Sequence, residues 1–150
     1  MKKIVRVGIF DSGVGGLTVL AECVRKLPDC LFYYMGDNLH APYGSLPPDL
    51  IARYVFAALR RFACLGTDAV VLACNTATAV CAERARAAFP FPVIGMEPAV
   101  RPAAEVCRRV LVLATPLTAG SDRLRALVGR FPQTDFTVCP LPGLAGAIER

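Results

Sequence analysis

The chain has 150 residues, of which 55% are hydrophobic and only 19% charged, and its mean hydropathy is +0.48. A domain of this size buries about two-thirds of its unfolded surface, and low charge with abundant Ala, Val and Leu excludes intrinsic disorder. The net charge of +5 comes from 17 Lys+Arg against 12 Asp+Glu; without the aromatic interleaving of a nucleic-acid groove, it reads as solvated helix faces.

Along the chain, short β-branched runs alternate with helical patterns. A strand is predicted at 5–10, a helix at 17–26, a strand at 31–35 and a long helix at 49–65. That helix shows its period clearly, with Ile51, Val55, Ala58, Leu59, Phe62 and Leu65 on one face and Arg53, Arg60 and Arg61 off it. Next come a strand at 68–73, a helix at 77–88, a strand at 92–96, a helix at 99–107, a strand at 110–114, a helix at 122–130 and a strand at 136–139. Strands apolar on both faces, alternating with helices, predict an α/β fold with an open parallel sheet flanked by helices. The last stretch, 140–150, reads as a helix beginning rather than a domain ending, and the chain is expected to stop inside a second domain.

No segment has the roughly 18 consecutive apolar residues that a membrane span needs. The best candidate, 69–82, contains Asn75, Thr76 and Thr78 between Asp68 and Glu83. The apolar run behind Lys2 and Lys3 is broken by Arg6 and stopped by Asp11, so no signal peptide is read and a cytoplasmic location is expected. Seven cysteines at irregular spacing, with no CxxC and one histidine, make neither a disulfide framework nor a zinc site. Cys23, Cys64, Cys81 and Cys107 read as small buried hydrophobes.

Each strand gives way to a polar or sharply turning segment: Asp11-Ser12-Gly13, Gly36-Asp37, Cys74-Asn75-Thr76, Glu97-Pro98 and Thr115-Pro116. In open α/β sheets the ligand sits outside the carboxyl ends of the strands, so these groups should gather on one rim. Asp11-Ser12-Gly13-Val14-Gly15-Gly16 is neither a dinucleotide fingerprint nor a P-loop; it offers a carboxylate, a hydroxyl and amide donors, suited to a small zwitterion. As a bare motif it serves a structural turn equally well. Cys74 stands between a buried strand and a helix start, where the helix dipole is expected to stabilise thiolate and lower its pKa. The loop 36–44 is long enough to be functional, and Pro42-Tyr43-Gly44 could give backbone donors and a phenol to an anionic substrate end. His40 reads as an incidental loop histidine. The lysines are Lys2, Lys3 and Lys26, none on the rim, so a pyridoxal phosphate Schiff base does not fit, and no His-centred triad or metal cluster is present. Cofactor-free chemistry by a cysteine beside a carboxylate remains.

Taken together, Gly8-Ile9-Phe10-Asp11-Ser12-Gly13-Val14-Gly15-Gly16-Leu17, Gly36-Asp37 with Pro42-Tyr43-Gly44, and Ala73-Cys74-Asn75-Thr76-Ala77 resemble the glutamate racemase family. Gly95-Met96-Glu97-Pro98-Ala99 and Leu113-Ala114-Thr115-Pro116-Leu117-Thr118 resemble it too, in order along the whole chain. The resemblance implies a pseudo-symmetric two-domain racemase, here 1–98 as the first domain and 99–150 as an incomplete start of the second. It implies interconversion of L- and D-glutamate without a cofactor, supplying D-glutamate for peptidoglycan, by two cysteines on opposite faces of the α-carbon. Carried over, Cys74 matches the first catalytic cysteine. Asp11, Ser12, Tyr43, Gly44, Asn75 and Thr76 match substrate-binding positions, with Asp11 also near enough to assist proton transfer, and Thr118 matches a further contact.

The family's second cysteine lies in a Gly-Cys-Thr-His segment that these 150 residues lack, and Cys139 sits in a different context. Net racemisation by this chain alone is therefore not expected, while self-association, as a homo-oligomer or otherwise, is expected from an incomplete sheet. Two alternatives stay open: an aspartate racemase, disfavoured by Asp-Ser-Gly-Val-Gly-Gly, and an inactive ligand-binding or interaction module derived from a racemase.

Overall fold

A computed structural model describes residues 4–148. The leader reading at Lys2 and Lys3, and Glu149-Arg150 of the expected final helix, lie outside the described residues. The order is β1 (Arg6–Asp11), α1 (Gly16–Lys26), β2 (Leu31–Gly36), a 3₁₀ turn (Tyr43–Ser45), α2 (Pro48–Cys64), β3 (Ala69–Leu72), α3 (Asn75–Ala88) and β4 (Val93–Gly95). It continues through α4 (Val100–Val106), β5 (Arg109–Ala114), α5 (Pro116–Ala119), α6 (Asp122–Val128), β6 (Asp135–Pro140) and α7 (Leu144–Ile148). The expected elements are all present, with ends shifted by a residue or two. The 3₁₀ turn and α5 were not anticipated. Among the described residues no helix is long and apolar enough to cross a membrane.

Two parallel sheets result, one of order β2-β1-β3-β4 and one of β5-β6. The first is covered on both faces. Ile9, Val7 and Val71 pack with Val19, Leu20 and Cys23 of α1 on one side. On the other, Phe10, Val70 and Leu72 pack with Ile51, Val55, Leu59 and Phe62 of α2 and with Ala77, Cys81 and Ala85 of α3. The predicted α2 stripe is thus buried as far as Phe62, apart from the half-buried Ala58; Leu65, past the helix end, is 40% exposed. Pro48 opens α2 at its first turn, where a missing N–H is harmless.

The second sheet departs from the expectation of strands buried on both faces. Val112 packs with Val100, Leu124 and Leu127 of α4 and α6, but Leu111 and Leu113 on the opposite face are 60% and 52% exposed. Among the described residues one helical layer, α4 and α6, covers these two strands. Cys64 and Cys107, expected inside, are exposed, and Cys23 is half-buried; Cys81 is fully buried. Cys64 ends α2, and Cys107 lies just past the end of α4, where the apolar stripe no longer faces a sheet.

Gly8 sits mid-β1 because α2 leaves no room there. A Cβ at this position would lie 2.7 Å from Cδ1 of the fully buried Phe62 ring. Gly8→Ala is expected to destabilise the chain by about 1–3 kcal/mol through overpacking, read as a lower urea midpoint at unchanged slope. An unchanged midpoint would show that the Phe62 ring moves aside at no cost.

Candidate active site

Parallel pairing of β1 with β3, in the register Phe10↔Leu72, brings the carboxyl ends of the two strands side by side. Beyond them opens a cleft of about 520 Å³ whose walls include Asp11, Ser12, Tyr43, Gly44, Cys74, Asn75 and Thr76. All seven residues singled out from the sequence therefore face one cavity. Glu97, Thr115 and Thr118 line it as well, and Cys74 is the sole cysteine among its lining residues. Gly36-Asp37 stands behind this wall. A larger adjoining cavity of about 690 Å³, between Pro42, Pro116 and Pro142, is lined by no titratable side chain.

Cys74 caps α3: its sulfur accepts the Ala77 N–H at 3.3 Å, and Ser12 Oγ–H donates to it at 3.2 Å. Asp11 is buried, and its Oδ2 accepts the Gly13 N–H at 3.0 Å, leaving Oδ1 without a protein donor among the described residues. The expected lowering of the Cys74 pKa does not hold. Burial pushes the thiol up, and the charge of Asp11 adds to the rise, against the donors from Ser12, Ala77 and Thr76 that favour thiolate. Desolvation outweighs the helix N-terminus here because the sulfur is nearly out of water.

Tyr43 also departs from expectation. Its ring is buried against Phe10, and its hydroxyl donates to Asp37 Oδ2 at 2.6 Å, so the phenol is committed to the protein rather than offered to a substrate. Burial and the Asp37 carboxylate hold that phenol far above the usual tyrosine range. The segment still lines the cleft, and the N–H groups of Tyr43 and Gly44 have no acceptor among the described residues. His40, read as an incidental loop histidine, is held in place by two partners. Its Nδ1 lies 2.7 Å from Asp37 Oδ1, and its ring stacks on Tyr54 at 3.7 Å.

The far wall comes from the second sheet. Thr115 caps α5 and meets Thr76 Oγ1 at 2.9 Å; Thr118 lies 3.3 Å from Thr76 and accepts from Thr115 at 3.1 Å. Gly44 is needed for this approach, since a Cβ there would stand 2.8 Å from Thr115 Cβ. Thr115 was legible as a strand-end residue and as part of a family-like segment but not as a site residue; its Thr-Pro pairing, a cap ahead of a helix-starting proline, is the signal that could have marked it. Among the described residues no group of three His, Cys, Asp or Glu side chains could hold a metal ion.

Three buried acids make stability depend on pH. Burial raises Cys74, Cys81 and Tyr43, Cys81 from its ordinary 9.0 to about 12. The fold prefers their neutral forms, so this stability is complete below pH 9 and is lost as pH rises toward 12. The thermal midpoint is expected to fall steadily across that window, and less steeply in Cys81→Ala. A midpoint flat to pH 11 would contradict the assigned burial.

The family model for Asp/Glu/Hydantoin racemase matches residues 19–139. Glutamate racemase of Halothermothrix orenii is 44% identical over 96% of this chain and 57% of its own length. Glutamate racemase 2 of Bacillus subtilis is 43% identical over 96% of this chain and 56% of its own. The crystal structure of Escherichia coli glutamate racemase, in complex with L-glutamate and the activator UDP-MurNAc-Ala, superimposes with a TM-score of 0.86 at 34% identity, covering 95% of this chain and 55% of that one. The chain spans a little over half the length of the curated relatives it matches. With a family match over most of its length and a fold that superimposes this closely, it belongs to the Asp/Glu/hydantoin racemase family.

Proposed function

We propose that this chain carries one half of the proton-transfer machinery of a cofactor-independent glutamate racemase, with residues 1–98 as a first domain and 99–150 as the start of a second. The observation that carries the reading is the lone cleft-facing thiol of Cys74, held by Ser12 and the Ala77 N–H beside the Asp11 carboxylate. Relatives named glutamate racemases, one of them solved with L-glutamate, support glutamate as the substrate. On the same kinship we propose a cytoplasmic location and a part in supplying D-glutamate for peptidoglycan.

In this mechanism Asp11 Oδ1 takes the substrate ammonium. The free N–H groups of Tyr43 and Gly44, with Asn75 and the hydroxyls of Thr76 and Thr118, take its carboxylates. Cys74 thiolate removes the α-proton: the C–H bond breaks, an S–H bond forms, and the electron pair passes into the substrate carboxylate. A thiolate made basic by burial is a stronger acceptor from carbon, at the cost of being scarce near neutral pH. The cationic ammonium entering the cleft favours thiolate and offsets that scarcity.

One thiol addresses one face, so the proton it removes returns to the same face. The expected result is slow exchange of the α-proton with solvent deuterium for one glutamate enantiomer, without inversion, monitored by NMR in D₂O with chirality read separately. Cys74→Ser should slow the exchange by about 10²–10⁴-fold. Brisk inversion would mean a second base operates within these residues; no exchange and no glutamate binding would favour a non-enzymatic module.

We also propose that the chain self-associates through the open face of β5–β6, where Leu111 is 60% exposed. Sedimentation at tens of micromolar is expected to show dimers or larger species, shifted toward monomer by Leu111→Lys. A monodisperse monomer would refute this.

A further inference from the structure

His40, Asp37, Tyr43 and Tyr54 form a connected set behind the cleft wall, reaching from the surface of α2 to the turn that lines the cavity. Asp37 is anchored at the end of β2, its N–H donating to Asp11 O at 3.0 Å. Its two carboxylate oxygens are divided: Oδ1 faces His40 Nδ1 at 2.7 Å, and Oδ2 accepts the Tyr43 hydroxyl at 2.6 Å. Tyr54 lies under the imidazole, 3.7 Å between ring centroids and 18° from parallel, and so fixes its plane. Asp37 and His40 side chains are 18% and 33% exposed, enough shelter for the hydrogen bond to hold its geometry.

We propose that His40 is a positioning residue for the cleft. Its Nδ1–H fixes the Asp37 carboxylate in the one orientation that also receives the Tyr43 hydroxyl, and this sets where the Tyr43 and Gly44 N–H groups stand. The role rests on the glutamate-site reading, because those N–H groups are the ones assigned to a substrate carboxylate. Without His40, Asp37 is free to rotate toward solvent, Tyr43 loses its acceptor inside the core, and the turn loosens against Thr115. Imidazole suits the task because Nδ1 branches from Cγ at the distance Asp37 requires. An Asn amide nitrogen occupies nearly the same place, whereas a Gln amide reaches toward the Nε2 position instead.

The chain has a single histidine, so ¹⁵N-histidine labelling reports this ring alone. Nδ1 is expected to be protonated and slow to exchange, and to lose that protection in Asp37→Asn. Its four tyrosines can be tracked by ¹³Cζ labelling, with Tyr43 assigned from Tyr43→Phe. His40→Ala and His40→Gln should shift the Tyr43 signal and weaken glutamate binding about tenfold, while His40→Asn restores both. All three lose the Tyr54 stack, so recovery in His40→Asn alone isolates the hydrogen bond, and the Asn and Gln variants decide the matter should His40→Ala fail to fold. Unmoved Tyr43 signals, or equal behaviour of His40→Asn and His40→Gln, would overturn the assignment. If the unaltered chain binds no glutamate, the functional reading falls, and the Tyr43 signal then decides whether His40 holds the turn.

Discussion

Parallel pairing of β1 with β3 is the constraint on which the site depends. Parallel strands point their carboxyl ends the same way, so Asp11 and Ser12 from one loop and Cys74 from another, 62 residues apart, must meet at the same rim. The register leaves little freedom. Four paired residues, Val7↔Ala69 through Phe10↔Leu72, fix the two loops in height, and the Ser12 hydroxyl then falls 3.2 Å from the sulfur. A slip of one residue would turn Phe10 and Leu72 out of the core they share with α2 and α3, so the packing that stabilises the sheet also enforces the geometry of the thiol.

At that thiol two effects compete, and their balance decides its chemistry. The start of α3 and the hydroxyl of Ser12 favour thiolate; loss of water and the nearby Asp11 carboxylate oppose it. A helix N-terminus contributes about 0.3–1 kcal/mol at exposed positions, while taking a group almost wholly out of water can move a pKa by several units. Burial wins. Burial thus favours the thiol, and in the proposed proton transfer the charge of the substrate ammonium is what tips the balance back. Asp11 opposes thiolate through its charge, and pairing it with the ammonium of the proposed substrate would remove that opposition.

Much of this was legible in the sequence, and the rest was hidden for physical reasons. Apolar runs marked the strands, β-branched in all but the aromatic β2; the Asp11 and Cys74 segments were legible because each breaks from a strand with residues a turn does not require. The partners of Tyr43 and His40 were not, since a hydroxyl meeting a carboxylate six residues away across a bent loop leaves no periodic trace. Nor was the direction of the Cys74 shift, which depends on how completely α3 and the opposing loop close over the sulfur. Cys64 and Cys107 illustrate the same limit from outside: composition makes cysteine a buried residue, but helix ends decide which ones escape. The threonine cluster joins positions 39 and 42 residues apart, and its existence follows only from the placement of the second sheet.

That placement rests on Leu117 of α5, which packs against the core of the first sheet, and on a small set of polar links. On the cleft side the two sheets meet through Thr76, Thr115 and Thr118 and through Gly44 against Thr115. On the outside they meet through Arg123 of α6, which lies 2.9 Å from Glu83 of α3 and 2.7 Å from Glu97 after β4. Glu83 is three-quarters exposed, and Arg123 Nε stands at ion-pair distance from Glu97 without hydrogen-bond geometry, so this outer link is worth little beyond about 1 kcal/mol. The sheltered hydroxyls hold better, at roughly 0.5–1.5 kcal/mol for each bond. The first sheet, sealed by helices on both faces, has far more apolar area behind it than either link. Asp11, Ser12 and Cys74 therefore stand on the more heavily packed side of the cleft, facing a wall of Thr115 and Thr118 held by Leu117 and by hydroxyl bonds.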